Sequence, residues 1–332
     1  MTQQNLFLQQ AQIDFPIIMA PMFLVSRPEL LKAGMRAGIL ATFPTLNYRK
    51  EEELTAVLRE LRNFQSTVKG NFGVNLIVQS TNPFYKKHLA VCVREQVPFY
   101  ITSLGNPSEV IHAAHTYGAK VYCDVTTPEH AAKCAAAGCD GFIAVGQGAG
   151  GHAGPHPLQI LIPLLKRLYP HLPVVAAGGI TDGTSLLSVM VLGASGASVG
   201  TRFIASTECE VPTAYKSAII SAELKDIVMS TKLSGTPASI INTEAARRLG
   251  YEQNWAEKFM SKHPMTRKWF KMLVQVRGMK KLEKSILPNN YLQLWSAGKS
   301  SALIEEILPA EEIVRRFRRE YKESLQKINA TC

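Results

Sequence analysis

Nine residues, Gly146-Gln147-Gly148-Ala149-Gly150-Gly151-His152-Ala153-Gly154, follow the apolar run Phe142-Ile143-Ala144-Val145. Glycine allows positive φ and lets a ligand come within van der Waals contact of the main chain. A histidine held in such a loop can exchange a proton near neutral pH. Together these features suit a flat cofactor lying against the backbone with His152 facing its reactive edge. Read in isolation, the loop is equally a surface turn that carries a histidine. The other reactive side chains offer less. His152 and His156 have a metal-like spacing for a helix, but Gly154 and Pro155 intervene, so no metal is expected. His112 and His115 are expected on a solvent-facing helix side, and Cys123 reads as packing rather than as a nucleophile. Arg202 could meet a phosphate or pair with a neighbouring helix. The six cysteines, Cys92, Cys123, Cys134, Cys139, Cys209 and Cys332, show no CxxC spacing and read as reduced thiols rather than a zinc site.

The elements that must position these residues alternate from the start of the chain. Apolar or β-branched runs predict strands at Phe15–Ala20, Ile39–Phe43, Phe72–Ile77, Phe99–Ser103, Lys120–Val125, Gly141–Val145, Val174–Ala177 and Ala197–Gly200. Helical spacing predicts helices at Pro28–Ala37, Glu51–Asn63, Asn82–Gln96, Pro107–Tyr117, Pro128–Ala137, Leu158–Leu168 and Gly183–Leu192. Asn82, Asn106 and Thr127 each precede a proline, a helix-start pattern, and Gly38, Gly118, Gly138 and Gly193 supply stops. The fold class is therefore α/β, and eight such units predict a (β/α)8 TIM barrel with its site at the C-terminal strand ends. A doubly wound sheet would want GxGxxG after the first strand, where Ala20-Pro21-Met22-Phe23 stands instead.

The informative motifs fall at those strand ends. The first strand leads into Ala20-Pro21-Met22, and the third carries Asn75 towards its C-terminal end. The seventh gives Gly178-Gly179 and the eighth Gly200-Thr201. Glycine-rich turns after strands seven and eight are where this barrel holds a phosphate, on backbone N–H groups and here also on the Thr201 hydroxyl.

Residues 10–225 and 291–328 are expected to form the barrel, with 226–290 a mostly helical, basic insertion capping its mouth. The segment Glu244–Asn290 holds 11 Lys and Arg against 4 Glu, which is +7 of the chain's +11. That surplus could meet an acidic carrier protein or a phosphorylated ligand, though a solvated helical face is the favoured explanation. No basic motif interleaved with aromatics is present, so nucleic acid is not an expected partner. No apolar run approaches the ~20 residues of a membrane span. Residues 1–5 show no secretory pattern, and a cytoplasmic location is expected.

The combination of Ala20-Pro21-Met22, Gly73-Val74-Asn75, Ala149-Gly150-Gly151-His152-Ala153-Gly154, Ala177-Gly178-Gly179-Ile180 and Val199-Gly200-Thr201-Arg202-Phe203 resembles the nitronate monooxygenase (2-nitropropane dioxygenase) family. That family includes FMN-dependent enoyl-acyl carrier protein reductases and NADH:quinone reductases. Trp295-Ser296-Ala297-Gly298 is similar to a further family element. The resemblance implies a TIM barrel binding FMN non-covalently. Carried onto this sequence, it puts Ala20, Pro21 and Met22 beneath the flavin ring and Asn75 at its polar edge. Gly178, Gly179, Gly200 and Thr201 would hold the phosphate, with Gly150 and Gly151 close to the flavin. His152 would be the acid/base residue, and Ser296 would lie near the substrate. Asp124 departs from the family pattern, because many relatives carry a longer basic or amide side chain there, and a carboxylate cannot donate to flavin oxygens.

The resemblance implies, first, oxidation of alkyl nitronates with O2, His152 stabilising the anion or taking the α-proton of a neutral nitroalkane. The alternative is NAD(P)H-dependent reduction of an enoyl thioester or quinone on the same barrel. A flavin-binding sensor or scaffold without turnover is the reading from another class. Oligomeric state is not readable.

Overall fold

A computed structural model describes residues 5–232, 237–252 and 294–331. The strands are β1 (Ile17–Met19), β2 (Leu40–Pro44), β3 (Asn71–Ile77), β4 (Phe99–Ser103), β5 (Lys120–Val125), β6 (Gly141–Val145), β7 (Gly151–His152), β8 (Val174–Ala177), β9 (Gly196–Val199), β10 (Ile227–Ser230) and β11 (Ala238–Ile241). The helices are α1 (Leu6–Ala11), α2 (Pro28–Arg36), α3 (Glu51–Gln65), α4 (Tyr85–Arg94), α5 (Ser108–His115), α6 (Pro128–Ala136), α7 (Leu158–Leu168), α8 (Gly183–Val191), α9 (Thr201–Ile204), α10 (Thr213–Ser221), α11 (Glu244–Leu249) and α12 (Ala310–Thr331).

Strands β1 to β6, β8 and β9 close into a parallel barrel, β9 pairing back onto β1 with Ile17 opposite Ala197. This is the expected (β/α)8 barrel. Its strands are covered on both faces, which is why they are nearly all apolar. Every residue of β2 is buried, for example. Outward-facing side chains pack against the helices, while an inner cluster of Ile18, Leu40, Phe99, Ile101, Tyr122, Ile143 and Val175 fills the barrel. Helix α1, which the sequence reading does not include, closes the bottom: Phe7 and Ala11 are fully buried in that inner cluster.

Helix boundaries follow the local chemistry. Thr127 caps α6 by accepting from the His130 N–H. Asn82 and Asn106 instead accept from the N–H two residues on, and α4 and α5 start two residues and one residue after their prolines. Gly38, Gly118, Gly138 and Gly193 all have φ between +79° and +103° just after a helix. Helix α12 lies along α8 and α2. A Cβ on Gly183 would stand 2.2 Å from the Tyr321 backbone nitrogen, so only glycine permits that close approach.

The described part of the 226–290 region opens with strands β10 and β11, an antiparallel pair. β11 also pairs with β7, placing Ala238 opposite His152 and Ser239 opposite Gly151. The expected helical character is met there by α11, while residues 253–293, with most of the basic surplus and with Trp255, Trp269 and Phe270, lie outside the described residues. Among the described residues no helix is long and apolar enough to cross a membrane, and no cluster of His, Cys, Asp and Glu could hold a metal ion. His112 and His115 face solvent as expected, His115 with Nε2 2.8 Å from Asp140.

Candidate active site

A cavity of about 780 Å³ opens at the C-terminal ends of the barrel strands. That is the size of small-molecule and cofactor sites, ~300–1,000 Å³. All the residues singled out as a site line it: Ala20, Pro21 and Met22; Asn75; Asp124; Gly150, Gly151 and His152; Gly178 and Gly179; Gly200 and Thr201; Ser296.

The turn after β1 is braced from within. The Ala20 N–H donates to Val199 O at 2.9 Å, and the Met22 N–H donates to Ser26 Oγ at 3.0 Å. The ends of β3, β4 and β5 carry a hydrogen-bonded chain. Asn75 Nδ2 donates to Ile101 O (3.3 Å) and to Ser103 Oγ (2.7 Å), and Ser103 Oγ donates to Asp124 Oδ2 (2.5 Å). Burial in the mouth raises the Asp124 carboxyl to about 6, against the opposing pull of the Ser103 hydroxyl. At pH 7 the group is therefore mostly ionised.

His152 stands in β7 rather than in a free loop. Its main chain is part of the three-stranded sheet β10-β11-β7, and its imidazole reaches the cavity. The residue is exposed at the cavity mouth, yet desolvation by the protein around the ring lowers its pKa from the ordinary value. Gly151, with φ +67°, turns the chain into that strand.

The glycines divide into two groups by what a Cβ would meet. On Gly150 it would stand 2.7 Å from the Gly298 nitrogen, and on Gly178 2.6 Å from the Ala149 nitrogen. These two let the His152 loop pack against its own neighbours. Gly151 and Gly179 would meet nothing within 4 Å, and Gly200 only the Ala20 and Met22 side chains from 3.5 Å. They leave main chain open to a ligand. Thr201 Oγ1 accepts from the Gly298 N–H at 3.0 Å, which leaves its own proton to donate.

Ser296 is held by β11 through a bridge to Ile240, and its carbonyl accepts from Tyr215 Oη at 2.5 Å. The Tyr215 ring stacks on Trp295, centroids 5.1 Å apart and planes 9° apart. The sequence reading omits Ser103, Tyr215, His130 and Lys133 from the cavity wall. Ser103 is the last residue of β4, so its strand-end position could have revealed it; nothing local marks Tyr215. Arg202 is not among the residues lining the cavity. It is buried on α9, lowered to about 10 mainly by that burial, and donates from Nη1 to the Glu306 carbonyl at 2.9 Å, tying α9 to the segment before α12. Cys123 is packed, accepting from Thr102 Oγ1 at 3.2 Å.

These residues fit FMN. Gly179, Gly200 and Thr201 offer open main chain and a hydroxyl after β8 and β9, and the cavity runs from there to the acceptor groups at β3–β5.

The comparisons agree. The family model described as "Nitronate monooxygenase" matches residues 49–320. FabK from Thermotoga maritima superposes with a TM-score of 0.85 at 29% identity, covering 100% of both chains. A (3aS,4S,5R,7aS)-5-hydroxy-7a-methyl-1-oxo-octahydro-1H-indene-4-carboxyl-CoA dehydrogenase of Rhodococcus jostii is 29% identical over 245 residues, 73% of this chain and 67% of that protein. A probable nitronate monooxygenase of Staphylococcus aureus is 28% identical over 285 residues, 73% of this chain and 79% of that protein. The chain thus spans about two thirds of the length of the dehydrogenase and rather more of the staphylococcal protein. With the barrel closed, the glycine turns after β8 and β9 and the match over residues 49–320, the chain belongs to the nitronate monooxygenase family of FMN-dependent TIM-barrel oxidoreductases.

Proposed function

We propose that this chain is an FMN-dependent reductase of enoyl thioesters, with NAD(P)H as electron donor. The observation that carries the choice within the family is the Asp124 carboxyl on the cavity wall, with Oδ2 taken by Ser103 and Oδ1 left to meet a ligand. An anionic nitronate would have to dock beside that carboxyl. An enoyl thioester is neutral at its reacting end and meets no such penalty. The R. jostii relative, named for a CoA thioester, supports the same choice.

FMN, when bound, supplies hydride exchange between donor and acceptor. Gly179, Gly200 and Thr201 hold its phosphate, with Gly178 shaping the turn. Ala20, Pro21 and Met22 support the ring, and Asn75 and Asp124 face its polar edge. Gly150 and Gly151 bring the loop close enough for His152 to hand a proton to the substrate α-carbon, with Ser296 and Trp295 walling the acyl group. An acidic carrier protein is the partner the basic surplus would suit.

The sign of the pH dependence separates thioester reduction from oxidation of a neutral nitroalkane. As the acid in thioester reduction, His152 must be protonated, so kcat/KM falls as pH rises through its lowered pKa. As the base for a neutral nitroalkane, it must be unprotonated, and activity would rise over the same interval. Nitronate oxidation is the second reading, favoured by the family match and the staphylococcal relative. Anaerobic mixing of the yellow protein with NADH, NADPH and propyl-2-nitronate tests both. Flavin bleaching by a nicotinamide, followed by reoxidation with crotonyl-CoA, is expected; bleaching by nitronate alone overturns the reductase. No bleaching by any of them would leave the sensor or scaffold.

Gly200→Val tests the phosphate placement. The backbone there, φ −109°, accepts a side chain, and a Cβ would make ordinary contacts with Ala20 and Met22. The γ-methyls would then occupy the turn. FMN affinity is expected to drop at least ~10-fold, a loss of ~1.4 kcal/mol, with the far-ultraviolet dichroism unchanged. Unaltered affinity in a flavin titration would place the phosphate elsewhere.

A further inference from the structure

The chain of bonds across β3, β4 and β5 has a direction. The Ile101 carbonyl can only accept, so the Asn75 atom beside it at 3.3 Å is the amide nitrogen. That nitrogen's second hydrogen goes to Ser103 Oγ at 2.7 Å, which leaves the serine's own proton for Asp124 Oδ2 at 2.5 Å. Every donor in the chain is therefore spent on protein. What remains towards the cavity is Asn75 Oδ1 and Asp124 Oδ1, both acceptors with no partner among the described residues. A ligand edge docking here must bring N–H groups.

We propose that this acceptor-only wall holds the reduced cofactor in its neutral, doubly protonated form, with Asp124 accepting from a ring N–H that the oxidised cofactor lacks. The inference rests on FMN occupying the cavity, and it makes Asp124 a group that sets the protonation of the cofactor. The balance is two electrons and two protons taken up per FMN reduced, against two electrons and one proton for an anionic product. The other titratable groups lining the cavity are His152 on β7, Cys123 on β5, His130, Lys133 and Cys134 on α6, and Tyr215 on α10. Asp124 has no ion-pair partner among the described residues, and its shift comes from burial and Ser103.

The midpoint potential of the holoenzyme, measured by anaerobic dithionite titration between pH 7 and 9, reads the proton count directly. Two protons per two electrons change the equilibrium constant a hundredfold per pH unit, a slope of ~59 mV; one proton gives tenfold and ~30 mV. The wild type is expected to keep the steeper slope to pH 9. Asp124→Lys is expected to fall to the shallower one throughout, and Asp124→Asn to cross to it within the range. Ser103→Ala, which keeps the carboxylate but removes its fixed donor, is expected to retain the steep slope. A shallow slope in the wild type, or a steep one in Asp124→Lys, overturns the proposal. So does a slope that collapses in Ser103→Ala and survives in Asp124→Asn, since the hydroxyl would then hold the role. Apoprotein that takes up no FMN removes the cofactor reading itself, whereas bound FMN with an unchanged slope defeats only the role of Asp124.

Discussion

His152→Ala is expected to retain FMN and to lose turnover by ~10²–10⁴-fold, the range spanned by a positioned acid or base. The separation between the two effects comes from where the residue sits. Its main chain belongs to the β7–β11 ladder, with Ala238 opposite, and alanine preserves that pairing. The surfaces that fit the phosphate lie at Gly179, Gly200 and Thr201, on other strand ends. Reduction of the bound flavin by NAD(P)H is expected to continue in the variant, because that half-reaction needs no proton delivered to the thioester. The loss should therefore appear in the oxidative half-reaction, with KM for the thioester little changed. A variant that emerges colourless, or one slowed equally in both half-reactions, would mark His152 as a structural residue of the loop.

That prediction rests on a site that was legible to unequal degrees. β4, β5, β6 and β8 coincide with the apolar runs that marked them, because a strand covered on both faces must be apolar along its length. The strand-end rule of the barrel then leads to Asn75, Asp124, Gly178 and Thr201 without further help. It does not yield the bond chain through Ser103, which depends on register. Asn75 lies opposite Ile101, and Ile77 opposite Ser103, so the serine reaches diagonally back to the asparagine. Nor does Gly151-His152 look like a strand. Two residues with no β propensity pair only because β11 is already formed by pairing with β10, a tertiary cause with no local trace. The glycines carry a related lesson. Gly150 and Gly178 read as ligand-facing, yet the space a Cβ would take at each is filled by neighbouring backbone. Sequence cannot distinguish close approach to a ligand from close approach to another turn.

Phe7→Ala carries the largest expected cost to stability, ~3–5 kcal/mol as for other buried phenylalanines truncated in cores. Six residues are too few to show a helical period, so Leu6–Ala11 escaped the sequence reading, yet α1 closes the barrel from below. Phe7 is 0% exposed, with its ring 5.8 Å from that of Tyr122, which in turn lies 4.8 Å from Phe99. Polar ties hold the plug in register. Tyr122 Oη donates to Gln10 Oε1 at 2.6 Å, Asn71 Nδ2 donates to Ala11 O at 2.8 Å, and Asn5 Nδ2 donates to Ser195 O at 2.7 Å. With these intact, α1 cannot move inward to fill the space, so the cavity term adds to the lost transfer energy. The inner cluster reaches through Ile101 and Ile143 towards the mouth, where Asn75 bonds the Ile101 carbonyl. Urea unfolding of the variant should therefore show a lower midpoint, while FMN affinity measured well below that midpoint stays within a few-fold of wild type. A loss of unfolding free energy under ~1 kcal/mol would mean that α1 contributes little beyond covering the barrel end, and that the inner cluster is self-sufficient without it.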